Sequence, residues 1–560
     1  MNGSPSRHRV ASPGNRMLQV GDLRRAAPTA WPEQRVVRES RTAAIALATA
    51  RPWDANRLRS LVAATLGDDQ LIVVSNRQPF SHEHHADGVR LTRPAGGMVA
   101  ALEPVVRGCA GTWVAHGSGS ADHVVVDGED VWQTPPELGA YRLRRLWLSA
   151  EEQQGYCDGF ANSGLWPLCH MAHVRPSFTE RDWQAYRSVN RRFADAVVDE
   201  ACQSDPVVLI QDYHLALVGQ MVRSRLPDAT IVSFWHVPWL SPQRMSLCPW
   251  LPALVDGLLG SDIVGFQTPE HRRNFLACAS PGGVEAHPAD SPGTAHPGRR
   301  SLVRDYPISI AWPTAAEKAE WPDIAEARRH AAQRFDLPDD GRLIVGIDRF
   351  DYTKGLLERL RAVEQLLASS PGWRGRLRFV QVAAPTRTSV AEYGGFRVQV
   401  MAAAERINRR FAADGPPPVR LLDVHHDPAE VTALYRAADL CLVTSLHDGM
   451  NLVCKEFIAA RDDEQGVVVL SRYACAAHEL SQALVVDPHH TFEVAEALDR
   501  ALSMPADEQR RRMRSLRATV EERNVYHWAA SLLLDAGALR RAWRAPVQAS
   551  TEASLATSTG

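Results

Sequence analysis

The chain has 560 residues, a formal net charge of −2 and 45% hydrophobic residues. That length predicts two or three ordinary domains with sizeable cores, and the near-zero charge gives no global field for nucleic acid or an acidic membrane surface. No segment shows a secretory leader pattern or an apolar run near about 18 residues, and the nine cysteines are singletons without metal-ligand spacing, so a reducing, cytoplasmic setting is expected.

Residues 1–65 are rich in Arg, Ala and Pro with weak periodicity. They are expected to be mostly a disordered N-terminal extension, with a candidate helix at 42–50. Short apolar runs then recur at 71–74, 207–210, 230–234, 263–266, 343–347, 377–382, 440–443, 467–470 and 484–486. They are too continuous for strands exposed on one face and suit parallel strands buried on both. Amphipathic helical stretches alternate with them, as at 179–201, 358–367, 390–411 and 428–437. Repeated strand–helix–strand order predicts a doubly wound α/β architecture. The proline-bearing segment 307–313 divides the runs into two sets. The expected organisation is a domain at 66–313, a second at 314–505, C-terminal helices at 506–544 packing back across the domains, and a disordered tail at 545–560. The Pro/Gly/His-rich stretch at 279–300 reads as an exposed loop, and so do His82, His84 and His85.

Polar groups follow the strands: Arg77, then Asp212 and His214, then His236, Asp348 and Arg349, and Asp448. Open parallel sheets bind ligands at the carboxyl ends of their strands, so two such sheets predict one shared cleft. Gly96 and Gly97 allow close backbone approach to a ligand, although a lone glycine pair is more often a turn.

Only three lysines stand against sixty arginines. Lys318 lies in an ordinary polar helix, whereas Lys354 and Lys455 fall inside motifs where a compact ammonium is needed. In Asp348-Arg-Phe-Asp-Tyr-Thr-Lys-Gly355, Arg349 and Lys354 suit a diphosphate whose charge grows as its bond breaks. In Asp448-Gly-Met-Asn-Leu-Val-Cys-Lys-Glu456, a strand turns into a helix whose first N–H groups seat a phosphate. Asp448 is placed for sugar hydroxyls, or merely as a helix cap. Glu456 is placed for ribose hydroxyls, or is simply solvated.

Several motifs in order resemble the trehalose-6-phosphate synthase family: Ser75-Asn-Arg-Gln-Pro79, Gly159-Phe-Ala-Asn-Ser-Gly-Leu-Trp-Pro-Leu-Cys-His170, Asp212-Tyr-His-Leu215, Gly257-Leu-Leu-Gly-Ser-Asp-Ile-Val-Gly-Phe-Gln-Thr268, and the two motifs above. The resemblance implies the GT-B arrangement, two Rossmann-like domains facing a cleft. It implies retaining transfer of glucose from UDP-, GDP- or ADP-glucose to glucose 6-phosphate, with no metal or cofactor. Carried over by motif, Arg77, Tyr156, Trp166, Asp212 and Arg387 meet the acceptor. Gly96, Gly97, Arg349, Lys354, His426, Leu452, Val453, Lys455 and Glu456 meet the nucleotide sugar. His236 and Asp448 meet the donor glucose and join Arg349 and Lys354 in catalysis. A separate phosphatase is expected to act downstream, no nucleic-acid or membrane partner is implied, and homo-oligomerisation is left open. Glycerol 3-phosphate is the rival acceptor, and a non-catalytic sugar-phosphate sensor the rival class.

The chain departs from the family pattern at Gln211, His447, His426, Cys454, Cys475 and Trp239-Leu-Ser-Pro242. Cys475 stands where glycine is usual, and a positive φ there would carry strain.

Overall fold

The computed structural model describes residues 52–66, 69–93, parts of 99–107, 110–279, 301–387 and 391–544. The candidate helix at 42–50, most of the predicted loop at 279–300, the tail at 545–560, and Gly96 and Gly97 lie outside these residues.

The first lobe is built from β1 (Leu71–Arg77), a hairpin of β2 (Ser81–His85) and β3 (Gly88–Thr92) whose tip is exposed, then β4 (Thr112–His116), β5 (Val131–Gln133), β6 (Arg142–Leu146), β7 (Val207–Gln211), β8 (Thr230–Phe234), β9 (Ile263–Phe266) and β10 (Leu302–Asp305). Leaving aside the hairpin, these strands form one sheet in the order β10-β9-β8-β7-β1-β4-β6-β5. Every neighbouring pair is parallel except β5 with β6. The second lobe holds β11 (Arg342–Arg349), β12 (Leu377–Ala384), β13 (Val419–Leu422), β14 (Leu440–Val443), β15 (Val467–Ser471) and β16 (Leu484–Val486) in the all-parallel order β13-β12-β11-β14-β15-β16. The fold is the expected pair of doubly wound sheets. All nine predicted runs are strands, and β7, β8, β14 and β15 are buried along their whole length.

The strand order fixes where a ligand can sit. In the first sheet the chain runs outward from β1 through β4 and β6, then restarts on the other side at β7. In the second it runs from β11 through β12 and β13, then restarts at β14. The crossovers diverge at β1/β7 and β11/β14, leaving a crevice at the carboxyl ends of those strands.

The last helix among the described residues returns to the first lobe. Helix Ala506–Glu522 stays on the second, where Arg517 donates to the Ile458 and Ala459 carbonyls, both at 2.9 Å. Helix Val525–Arg544 then lies against β8 and β10: Asp535 accepts from Arg304 at 2.8 Å and from the Tyr306 hydroxyl at 2.8 Å, and Trp528 packs edge-on to Phe234.

Two expectations are corrected. Residues 55–65 of the expected extension are ordered: Ala55–Leu66 is a helix with Leu58, Val62 and Leu66 buried, packed on helix Val525–Arg544. Its apolar residues recur every four positions, a stripe that the surrounding Arg and Ala obscure in the sequence. Nor is the histidine cluster a loop. It is β2, and His82 is buried beside Asp122 and Arg145, two charges fully withdrawn from solvent and paired at 3.0 Å.

Candidate active site

At the end of β1 the backbone is pinned before and after Arg77. Trp113 Nε1 donates to Ser75 Oγ at 2.9 Å, and Ser75 Oγ donates to the Arg77 carbonyl at 2.6 Å. Gln78 is held between Asp122 and Arg145 Nε at 2.6 and 2.9 Å. Arg77 itself is exposed by area yet surrounded by protein, as on the wall of a deep open crevice. Burial, and then the nearby Arg349 and Arg387, push its guanidinium down to about 10.

Beside it, at the end of β7, Asp212 takes a positive φ of 76°. Its Oδ1 accepts from the Tyr213 and His236 backbone N–H groups at 2.9 and 3.3 Å. Burial raises its carboxyl to about 6, against the lowering effect of those donors and of Arg77 and Arg387. His236 Nε2 lies 2.9 Å from Gln211 Oε1, and burial lowers the ring to about 3, so it is neutral near pH 7. Gln211 therefore supplies an acceptor that does not titrate. The helical segment that follows β6 passes through thirteen π-helical residues, Gln153–Leu165. Such widened turns occur often at functional sites. Here it carries Tyr156, whose hydroxyl donates to Asn76 at 3.1 Å, and leads directly into Trp166.

In the second lobe, Arg349 closes β11 and the turn Tyr352–Lys354 follows. The turn ends at Gly355, whose φ of 66° and close approach to the Thr444 carbonyl exclude a side chain. Lys354 Nζ donates to Asp448 Oδ2 at 2.7 Å. Asp448 also accepts from Ser445 Oγ at 2.9 Å and Asn451 Nδ2 at 3.2 Å. Burial alone would raise its carboxyl, but Lys354 and these donors hold it well below the usual range. Behind the site Arg359, fully buried, ties β11 to β12 and β14 through Asp348 at 2.9 Å, Gln381 at 2.6 Å and Thr444 at 3.1 Å.

The two halves meet at Trp166. Arg387 of the second lobe lies 3.9 Å over its ring and donates to Tyr213 Oη at 3.2 Å and to Tyr393. Arg349 lies 5.8 Å from the same ring. Gly449 approaches so closely that a Cβ there would stand 2.4 Å from the His236 carbonyl. One crevice thus gathers Arg77, Arg349, Lys354 and Arg387, with Asp212, Asp351 and Asp448 between them. Four fixed cations so placed are chemically suited to phosphate-bearing anions.

Other candidates sit elsewhere or are occupied. Lys455 is not a free cation for a nucleotide: its side chain is 2% exposed, and its ammonium donates to Glu479 at 2.7 Å and to the Ile308 carbonyl at 3.0 Å. It points out of the helix Val453–Ala460 toward the inter-lobe connector rather than toward the strand ends. His426 does not offer an open ring face; its side chain is 4% exposed and Nδ1 is 3.0 Å from Glu430. Glu456 accepts from the Tyr435 hydroxyl at 3.0 Å, and burial raises its carboxyl. Leu452 and Val453 open that same helix, half-buried. Cys475 is not in the left-handed region, so the expected strain is absent. Its thiol lies 3.5 Å from the Asp448 carbonyl. His447 Nδ1 meets the Cys169 carbonyl at 3.2 Å across the lobes. Asp351, Tyr213, Tyr393 and Arg359 were not singled out from the sequence. Asp351 and Tyr213 sit inside the quoted motifs, but nothing in the residue order distinguishes them from their neighbours.

The fold and the chain as a whole match known proteins. The family model for glycosyltransferase family 20 matches residues 69–537. A trehalose-6-phosphate synthase from Mycobacterium marinum is 37% identical over 477 residues, which is 83% of this chain and 93% of the relative. A solved E. coli chain bound with UDP-2-fluoro glucose matches with a TM-score of 0.74 and 32% identity, covering 84% of this chain and 99% of its own. The α,α-trehalose-phosphate synthase of Burkholderia xenovorans in complex with glucose-6-phosphate matches with a TM-score of 0.72 and 32% identity, covering 83% and 100%. The chain belongs to glycosyltransferase family 20, and it is a glycosyltransferase of the trehalose-phosphate synthase kind.

Proposed function

We propose that this enzyme moves glucose from a nucleotide-glucose to glucose 6-phosphate with retention, giving α,α-trehalose 6-phosphate. The observation that carries the reading is the convergence of Arg77 from one lobe with Arg349 and Arg387 from the other, the latter two lying over the ring of Trp166. Asp351 offsets part of the charge of Arg349 and Arg387, and the positive charge that remains favours phosphorylated anions in the crevice.

In this reading Arg349 and Lys354 hold the donor diphosphate, and Arg77 and Arg387 hold the acceptor phosphate beside the phenols of Tyr156 and Tyr213. The bond from the anomeric carbon to the diphosphate oxygen breaks, and the acceptor hydroxyl bonds to that carbon on the same face. Its proton passes to the departing phosphate oxygen. Negative charge grows on the leaving group next to Arg349 and Lys354, where fixed charge lowers the barrier most. Asp448 aims Lys354 and receives donor hydroxyls, Asp212 receives acceptor hydroxyls, and neutral His236 meets the donor sugar. No protein nucleophile is required, so the paired carboxylates of retaining glycosidases have no part here. No metal is required in this account, and a separate phosphatase would release the free disaccharide.

Uridine is the base to test first, because the E. coli neighbour is bound with UDP-2-fluoro glucose. Turnover is measured with UDP-, GDP- and ADP-glucose against glucose 6-phosphate and glycerol 3-phosphate. The reading expects a phosphorylated disaccharide from glucose 6-phosphate. Transfer to glycerol 3-phosphate alone would replace it.

A further inference from the structure

Asp351 has no substrate to hold in this scheme, yet it stands between the two anion seats. It is fully buried. Its Oδ1 accepts from Thr353 N at 3.0 Å and Thr353 Oγ1 at 2.9 Å, capping the turn that presents Lys354. Its Oδ2 has no hydrogen-bond partner. That oxygen instead lies 3.7 Å from Arg349 Nη2 on the donor side and 3.6 Å from Arg387 Nη1 on the acceptor side.

A buried carboxylate oxygen without a donor is costly and calls for a reason. Capping accounts for Oδ1 only. Attraction to two guanidiniums accounts for Oδ2. Burial would raise this carboxyl, but Arg387, Arg349 and Lys354 outweigh it and keep the group ionised. The two arginines come from separate strand ends, β11 and the loop after β12, and they repel each other. Arg387 also carries a positive φ of 47°, a conformation its surroundings must impose.

We infer that Asp351 is a positioning residue that sets the spacing between the donor and acceptor seats, one oxygen shared by Arg349 and Arg387 while the other fixes the turn bearing Lys354. The inference rests on the proposed reading of those seats. It gives Asp351 a distinctive signature. Removing its charge makes the crevice more positive, so ground-state anions bind no more weakly. Turnover suffers, because a displacement of about 1 Å costs about 100-fold in rate.

The test is Asp351→Asn, which keeps size and the capping oxygen. The full chain is assayed with whichever nucleotide-glucose the wild type uses, and calorimetry follows binding of the matching nucleoside diphosphate and of glucose 6-phosphate. The expected result is a kcat about 100-fold lower, with both Kd values unchanged or smaller and the far-ultraviolet circular dichroism at the assay temperature unchanged. Asp351→Ser, which also caps, is expected to give the same split and serves if the asparagine variant folds poorly. A kcat within about twofold of wild type, or Kd values that rise in step with the fall in kcat, would overturn the inference while leaving the parent reading intact. A wild type that transfers no sugar from any donor overturns both.

Discussion

Lys354 Nζ stands 2.7 Å from Asp448 Oδ2, joining the ends of β11 and β14 at the point where the second sheet reverses its order. The pair is largely enclosed, with side chains 12% and 8% exposed. One of the chain's three lysines therefore occupies a small pocket with its charge directed by a carboxylate, and this bears on what can replace it.

Lys354→Ala is expected to lower kcat by about 10²–10³-fold, the usual cost of losing one charge-stabilising donor. Lys354→Arg is expected to restore little, because a planar fork does not fit where a compact ammonium meets Asp448. Steady-state rates at saturating substrates decide it. Arginine recovering half of the activity would contradict the pocket argument.

Asp212 predicts a pH signature. Its carboxyl is raised from 3.8 to about 6 in the folded chain. Between those values the folded chain holds a proton that the unfolded chain has lost, so this group's contribution to stability declines as pH rises through that window. Activity moves the other way, since the ionised form accepts acceptor hydroxyls. The phosphate of glucose 6-phosphate titrates near the same pH, about 6, so the quantity to follow is the ratio of wild-type to Asp212→Asn kcat/KM, in which the substrate's own titration cancels. The ratio is expected to be near one below pH 6 and to grow above it.

Arg387→Lys keeps the charge and loses the planar stack on Trp166 and the fork to Tyr213 and Tyr393. The KM for glucose 6-phosphate is expected to rise about 10–100-fold, the worth of a charged hydrogen bond, with the donor KM little changed. A matching rise in both would place Arg387 between the substrates instead of on the acceptor side.

Lys455→Met separates a structural lysine from a binding one. The ammonium is buried against Glu479, so its loss leaves that carboxylate only the more distant Arg523 at 3.9 Å and is expected to cost about 3 kcal/mol of stability, the low end for breaking a buried pair. Denaturant titration measures this. The KM for the nucleotide sugar is expected to stay near wild type, and a large rise would return Lys455 to the site.

The sequence made the parallel strands legible because burial on both faces leaves continuous apolar runs, as at β7 and β14. It hid β6, which reads Arg-Leu-Arg-Arg-Leu, because Arg145 is buried against Asp122 and cannot be told from its exposed neighbours by residue type. The strand-end rule located Arg77, Asp212, Arg349 and Asp448, since order along the chain determines which strands end together. It could not separate Lys354 from Lys455: both follow strands in similar motifs, and only the direction of each side chain, fixed by tertiary packing, distinguishes cleft from connector. Asp351 was invisible for the same reason, because its meaning lies in two arginines brought from different strands.

If Arg349 and Lys354 of the second lobe hold the diphosphate leaving group by fixed positive charge alone, glucose moves without metal and with retention. Proton NMR of the product formed from UDP-glucose and glucose 6-phosphate in excess chelator tests it most directly. The account predicts sustained turnover to an α,α-linked phosphorylated disaccharide. A β-configured linkage, or transfer that stops in chelator and returns with a divalent cation, would contradict it.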